Sequence, residues 1–426
     1  MKKVLIASTA LVAAGLMTAG TASASEKIKL NLGGYSKWWV VGAWQNSSYR
    51  DGSGAQPVAV DVKGDNEVYF GGSTTLDNGL KIGIDVQLEA GGHSDTRVPQ
   101  KAGTAANALT VANANAASAA KTDVIDESYV WIEGGFGKLI VGSKNNGTYL
   151  IHNTAPDAAG NWNEGGILSG SYAIAQPSTV HSLGQIANDA ATVSGFNTGG
   201  TGNTTAILTD GDSEGATYVS PSFYGFTFGA SYKPNGITED NRGFESAAMP
   251  VYGVGLLYAN TFGGVGVKAD VGFATYNPQH AVKATNHRDQ NEYSTGLNLS
   301  YAGFTVGGSY RKIEDNRQAE GAGSAALGTT GYNGYGYDAG IQYASGPYAV
   351  SLAYFHSSTE GAVGNDLSTG SDKIDVYQLS GKYTLGAGVD ALASAGYARY
   401  KDGDSSGVGA NNNKGWTVMT GLSLAF

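Results

Sequence analysis

Trp416-Thr417-Val418-Met419-Thr420-Gly421-Leu422-Ser423-Leu424-Ala425-Phe426 decides how the chain is to be read. Its even positions are large and apolar apart from Thr420, and its odd positions are small or polar apart from Met419. A period of two puts these sets on opposite faces of a β-strand. One greasy face with aromatics at both ends, backed by a small and polar face, suits a strand with lipid outside and water inside.

The other end of the chain carries Lys2 and Lys3, an apolar run from Val4 to Met17, and Ala22-Ser23-Ala24. That order makes a secretory signal peptide, too short for a membrane span. Residues 1–24 are expected to be removed, leaving residues 25–426 as one barrel. Loss of Lys2 and Lys3 lowers Lys+Arg from 26 to 24 against 36 acids, so the mature net charge is −12. There is no cysteine, which excludes a disulfide framework and any Cys-ligated zinc or redox site. Beyond the signal no run reaches the roughly 20 apolar residues of a spanning helix. The 65 glycines are about twice ordinary usage and are joined by 25 tyrosines, a composition of short strands, tight turns and aromatic belts.

The alternation recurs throughout. Leu80, Ile82, Ile84, Val86 and Leu88 interleave with Lys81, Gly83, Asp85, Gln87 and Glu89, and Tyr335, Tyr337, Ala339, Ile341 and Tyr343 with Gly336, Asp338, Gly340 and Gln342. Many apolar faces carry Tyr at their ends and aliphatics between, an interface–hydrocarbon–interface profile rather than a sandwich core. Only the first strand breaks the pattern. Lys37 sits among Trp38, Trp39 and Trp44, which predicts a bulge beyond Gly33.

Connections alternate between tight and long. The tight ones include Asp77-Asn78-Gly79, Tyr224-Gly225, Ala302-Gly303, Gly346-Pro347 and Gly386-Ala387-Gly388; the long ones are 46–64, 91–122, 145–213, 234–250, 278–288, 315–332, 359–372 and 403–413. Eight long loops and seven tight turns predict an all-β, 16-stranded antiparallel transmembrane barrel with both termini on the tight-turn side. A barrel of that size holds water, and closure leaves no edge for lipid to meet. The long loops are expected to face the cell exterior.

Four pieces together resemble the Gram-negative general-diffusion porins common in α- and β-proteobacteria. They are Lys27-Ile28-Lys29-Leu30-Asn31-Leu32-Gly33-Gly34-Tyr35, the turn Gly134-Gly135-Phe136-Gly137 followed by Leu139-Ile140-Val141-Gly142, the hairpin from Tyr218 to Phe226, and the terminal Phe426. The resemblance spans the mature chain. It implies an outer-membrane homotrimer that reaches its place through the periplasm and the barrel-insertion machinery. Its surroundings would be outer-membrane lipid and lipopolysaccharide, and its cargo small hydrophilic solutes and ions. Phe426, with Leu424, Leu422 and Trp416 behind it, would be the signature read during insertion. No nucleic-acid partner is expected.

The resemblance also implies that the third long loop folds inward and sets carboxylates across the pore from a basic wall. Residues 145–213 far exceed what a hairpin needs. Its first part carries Tyr149, His152, Pro156, Asp157, Trp162 and Glu164. Asp157 and Glu164 are the candidate acids. Lys81, Lys144 and Arg311 are the lumen-phase bases, with Lys37 and Lys138 beside them. The wall cluster of such channels is rich in arginine, whereas this chain has lysines. From about Ser169 to Asp212 the loop turns to Thr, Gly, Ala and Asn, which predicts an exposed, mobile second half.

Several lookalikes carry no chemistry. Gly211-Asp212-Ser213-Glu214-Gly215 fits G-x-S-x-G but lacks the strand–turn–helix elbow. Gly334 to Ala339 fits a loose dinucleotide fingerprint with no βαβ unit around it. The six histidines lack zinc-site spacing. Two Asp-Gly-Asp-Ser stretches, with Asp210 and Asp212 in one and Asp402 and Asp404 in the other, are weak candidates for structural Ca²⁺ in outer loops. Otherwise no cofactor is expected. Ala102 to Ala120 reads as a flexible low-complexity loop.

The resulting expectation is a passive, weakly cation-selective channel, and no enzyme. A solute-selective channel for sugars or anionic nutrients is the alternative, kept open by Tyr149 and Trp162. A barrel adhesin or enzyme ranks below both, since no catalytic constellation can be assembled.

Overall fold

The computed structural model describes residues 27–46, 60–92, 100–101, 125–160, 213–236, 250–276, 290–315, 333–360, 370–403 and 412–426, with 162, 174, 176–177, 180, 183 and 204–207 of the third long connection. Sixteen antiparallel strands close a barrel in chain order. They are β1 (Asn31–Gln45), β2 (Val60–Thr75), β3 (Lys81–Gly92), β4 (Ile125–Gly134), β5 (Gly137–Ser143), β6 (Glu214–Val219), β7 (Phe226–Lys233) and β8 (Val251–Phe262), then β9 (Val265–Tyr276), β10 (Gln290–Tyr301), β11 (Phe304–Asp315), β12 (Gly334–Ser345), β13 (Tyr348–Glu360), β14 (Ser371–Gly386), β15 (Val389–Lys401) and β16 (Asn412–Ala425). Closure runs from Tyr35 opposite Ala425 to Gln45 opposite Gly415. Phe426 completes it: its N–H donates to Gly34 O and its carbonyl accepts from Gly34 N, both at 3.1 Å. Every strand thus finds two neighbours, as lipid requires.

The tight turns fall where the sequence puts them. Tyr224 (φ 51°) before Gly225 (φ 88°), and Ala302 (φ 49°) before Gly303 (φ 86°), take the left-handed pair of a two-residue hairpin turn, whose twist matches the flanking strands. The strands reach further into the long connections than expected, so Val60 to Gly64 already belong to β2.

The bulge expected in β1 is absent. β1 pairs without interruption to both neighbours, and register shifts fall instead between Asp65 and Glu67, Gln87 and Leu88, and Thr384 and Gly386. The pattern is blurred because both faces of β1 carry large apolar side chains. Trp38, Val40 and Trp44 point outward, whereas Trp39 and Val41 point inward against Ala159, Leu392 and Met419. Met419, the exception in the last strand, has the same explanation.

Outside, aromatic rings form a row near the long loops. It includes Tyr232 with Tyr252 at 5.1 Å, Phe273 with Tyr293 at 5.3 Å, Tyr354 with Tyr377 at 4.6 Å, and Tyr397 with Trp416 at 4.7 Å. A second row near the tight turns includes Phe226 with Tyr258 and Phe304 with Tyr343, at 4.7 and 4.6 Å. Exposed aliphatics such as Leu256, Leu297 and Leu352 lie between. Two aromatic girdles around an apolar band mark the membrane section of such a barrel.

Candidate functional site

The third long connection enters the barrel and is fastened at both roots. Lys233 on β7 is buried, and its Nζ donates to Lys144 O at 2.6 Å and Ser213 O at 2.7 Å, one carbonyl at each end of the loop. A short helix, α1 (Gly147–Ile151), starts where the Asn146 carboxamide oxygen accepts Tyr149 N–H at 2.9 Å. The chain then crosses the wall on a series of side-chain acceptors. Asp270 on β9 accepts Asn153 N–H at 2.9 Å and lies 2.7 Å from His152 Nδ1. Asp338 on β12 accepts Ala155 N–H at 3.1 Å, Trp162 Nε1–H at 2.8 Å and the Ser309 hydroxyl at 2.7 Å. Ser351 Oγ on β13 accepts Ala158 N–H at 2.8 Å. Buried carboxylates need such donors, and each hydrogen bond to a charged group contributes about 1.5–3 kcal/mol.

The wall beneath the loop is cut away to receive it. A Cβ on Gly296 would stand 2.1 Å from Asn153 O, and one on Gly229 would stand 2.4 Å from Gly147 O. Beyond the glycines, apolar side chains take over. Ala155, Trp162, Ile174 and Val180 of the loop pack on Ala353, Phe355, Ile374, Val376, Ala398 and Tyr400 of β13 to β15. The second half of the loop therefore departs from expectation: its described residues Ile174, Gln176, Val180, Leu183 and Thr204 to Ile207 are buried, not exposed. Thr and Ala in that stretch serve packing here. Gln176–Pro177 also pairs in parallel with Gln100–Lys101 of the second long connection.

The opposite wall, β2 to β4 with the Tyr35–Lys37 end of β1 and the start of β5, meets none of these apolar loop residues among the described residues and carries large polar side chains. Tyr35 OH donates to Glu67 at 2.6 Å and to Asp65 at 2.9 Å; Tyr69 OH also donates to Glu67, at 2.6 Å. Trp131 lies over Gly83 and donates its Nε1–H to Asp85 at 2.7 Å. Lys138 Nζ stands 4.3 Å from the Trp131 ring, Lys37 Nζ 4.7 Å from that of Tyr35, and Lys144 Nζ 5.4 Å from that of Tyr129. Lys144 pairs with Glu127 at 2.5 Å and Lys37 with Asp65 at 3.9 Å.

The expected site residues thus divide. Lys37, Lys81, Lys138 and Lys144 share the open wall, on β1, β3, β5 and the residue after it. Arg311 lies on β11 under the loop's side of the barrel, 1% exposed, with Nε and Nη2 on Glu292. His152 is buried between loop and wall, its Nε2 3.2 Å from Thr205 Oγ1. Trp162 is buried too and offers no aromatic slide; among the described residues, Tyr35, Tyr69, Tyr129 and Trp131 are aromatics of the opposite lumen wall that the loop's apolar cluster does not cover. Tyr149 is half-buried on α1. Asp157 is half-buried on the loop, accepting from Ser351 Oγ at 3.2 Å and Ala159 N at 3.3 Å. Glu164, Asp210, Asp212, Asp404 and the run 102–120 lie outside the described residues. Asp402 is buried with its N–H on Asn412 Oδ1 at 3.0 Å. Among the described residues, the carboxylates that converge at metal-ligand spacing are Glu67, Glu89 and Asp126, with ligand atoms within 4.8 Å of one another.

Sequence reasoning missed Lys233, Asp270 and Asp338 as anchors of the loop. The signal for them was a lumen-phase charge on strands otherwise lined by glycine and serine.

Comparison with known proteins agrees with this architecture. The family model of Gram-negative porins matches residues 7–403. Among solved structures, the anion-selective porin from Comamonas acidovorans aligns with TM-score 0.55 at 15% identity, covering 94% of this chain and 100% of that one. The outer membrane channel DcaP of Acinetobacter baumannii gives 0.52 at 13%, covering 95% and 99%. The trimer form of OmpT from Vibrio cholerae gives 0.50 at 12%, covering 93% and 100%. No curated protein sequence matches. The barrel, its water-facing wall and the family match lead to one identification: the chain belongs to the Gram-negative porins, non-enzymatic channels of the outer membrane.

Proposed function

We propose that this porin is a general-diffusion channel with a weak preference for cations. The observation that carries the reading is the pairing on the open wall. Lys37 and Lys144 each stand against a carboxylate, which reduces the positive field along that wall, while the mature chain as a whole is at −12. A narrow low-dielectric passage amplifies whatever charge remains unbalanced. Asp157 on the loop, with Glu164 after it, supplies the negative side. Charges at the mouth are screened within about 8 Å at physiological salt, so only charges at the neck act at high salt. Single-channel recording in a salt gradient tests this. Asp157→Asn with Glu164→Gln should move the reversal potential toward anions while the barrel stays folded. Unchanged selectivity at high salt would remove those acids from the neck.

A second reading rests on Tyr35, Tyr69, Tyr129 and Trp131, which give the open wall aromatic faces suited to sugar rings. It predicts current interruptions when a neutral sugar is added to the same recording, and none if diffusion is general.

We further propose a homotrimer embedded in outer-membrane lipid. The neighbouring subunits would meet the outer face of β2 to β5, where exposed Val62, Val130, Ile132, Leu139 and Val141 stand in place of the aromatic pairs seen elsewhere. Phe426 serves as the insertion signature. A chain lacking it should reach the periplasm but give less heat-modifiable trimer, and a normal trimer yield would overturn that role.

A further inference from the structure

Beyond the aromatic row on the long-loop side, the outer surface of β14 to β16 turns basic. Tyr377, Tyr397 and Trp416 are outward members of that row. On the same faces, two and four residues further toward the long loops, stand Asp375 and Lys373 on β14, Arg399 and Lys401 on β15, and Lys414 on β16. Two residues of strand advance about 7 Å, so these groups sit at headgroup level above the rings.

The register brings like charges together. Lys373 is directly opposite Lys401, and Arg399 is directly opposite Lys414. Like charges so placed repel, because their Cβ atoms are only about 5 Å apart. Asp375 is the one acid on this patch among the described residues, and it is already engaged. It is buried and holds Arg399 Nε and Nη2 at 3.0 and 2.7 Å, His356 Nδ1 at 2.8 Å and the Tyr354 hydroxyl at 2.8 Å. Arg399 keeps 55% of its side chain exposed. Lys373, Lys401 and Lys414 are exposed and have no carboxylate partner among the described residues. On β11, three strands from β14, the pattern differs, since Lys312 there is paired with Glu314.

We propose that Lys373, Arg399, Lys401 and Lys414 form a binding site for the phosphate groups of a lipid headgroup in the outer leaflet, with lipopolysaccharide as its occupant. The position selects a lipid: the acyl chains would lie along Leu379, Ala395 and Val418 below the rings, while the phosphates meet the four cations. Asp375 orients Arg399 so that Nη1, its unused donor nitrogen, remains available to the anion. The site rests on the channel standing in the outer membrane with its long loops outward, and it is independent of what passes through the pore.

The test uses the purified, folded full-length mature barrel in detergent. Its affinity is measured for lipopolysaccharide, for the same lipid stripped of phosphate, and for inorganic phosphate. The triple variant Lys373→Gln, Lys401→Gln, Lys414→Gln leaves the Arg399–Asp375 pair intact. Each base near an anionic lipid surface contributes about fivefold, so the triple variant should bind on the order of a hundredfold more weakly. The triple Lys→Arg variant should bind like wild type. Single-channel conductance should be unchanged throughout, which separates failure of this site from failure of the channel reading. Should the triple variant fail to give a heat-modifiable barrel, Lys373→Gln and Lys401→Gln singly should each show the fivefold loss. Equal binding of the phosphate-free lipid, full affinity in the Gln variants, or inorganic phosphate binding as tightly as the lipid would each overturn the proposal.

Discussion

Along β7 to β10 the lumen positions include Gly229, Gly255, Gly272 and Gly296, and the outward ones Tyr232, Tyr252, Phe273 and Tyr293. Along β2 to β4 the assignment is reversed: Tyr69, Tyr129 and Trp131 face the lumen, while Val62 and Val130 face outward. Both sectors alternate with a period of two, yet they place bulk on opposite sides. Where the inward loop lies, the lumen must be shallow, so the wall offers glycine and a few anchoring acids. Where no described loop residue lies, lumen volume is filled by aromatic and charged groups that meet water. Outside, the aromatic rows of the first sector suit a lipid interface, and the aliphatic face of the second suits another protein surface.

The largest expected effect comes from breaking the first sector's hold on the loop. Asp338→Ala removes the acceptor shared by Ala155 N–H, Trp162 Nε1–H and Ser309 Oγ–H. Each buried donor left without a partner costs about 1–3 kcal/mol, enough to release the middle of the loop while the barrel ladder stays whole. Single-channel conductance should change several-fold and the loop should become open to protease. Asp338→Asn keeps an acceptor oxygen and should show a smaller change. Wild-type conductance and protease resistance in Asp338→Ala would mean that the loop is held by its apolar contacts alone.

The barrel was legible because each strand carries its own alternation and each tight turn its own glycine, as at Tyr224-Gly225. These are local signals, and closure follows from the count. The site was less legible because loop docking depends on pairs distant in sequence. Gly296 reads as one more small lumen residue until Asn153 O is found above it. His152 and Arg311 have the composition of pore-lining groups, but Asp270 and Glu292 hold them under cover. Trp39, Val41 and Met419 look like errors of phase in β1 and β16 until Ala159 supplies the surface that covers them. A run of lumen glycines on consecutive strands, set against lumen Tyr, Trp and Lys elsewhere, is the pattern from which the loop's bed could have been read.

A smaller effect, and a sharper one, separates the two outer faces. Leu297 on β10 and Val130 on β4 are similarly exposed in the single chain, at 46% and 50%. In lipid, an arginine near the middle of the apolar band costs about 2–4 kcal/mol. Leu297→Arg should therefore lower the yield of folded barrel and its resistance to heat, whatever the oligomeric state. Val130→Arg should act elsewhere if neighbouring subunits cover that face. There the guanidinium would be placed between barrels, so trimers should fall to monomers on unheated gels while each monomer keeps its heat-modifiable fold and its conductance. The two outcomes cannot be exchanged without changing which sector meets lipid. If Val130→Arg loses folded barrel as Leu297→Arg does and the surviving protein still runs as trimer, the aliphatic face is a second lipid surface. The missing aromatic rows on β2 to β5 would then reflect only the crowding of Tyr and Trp into the lumen.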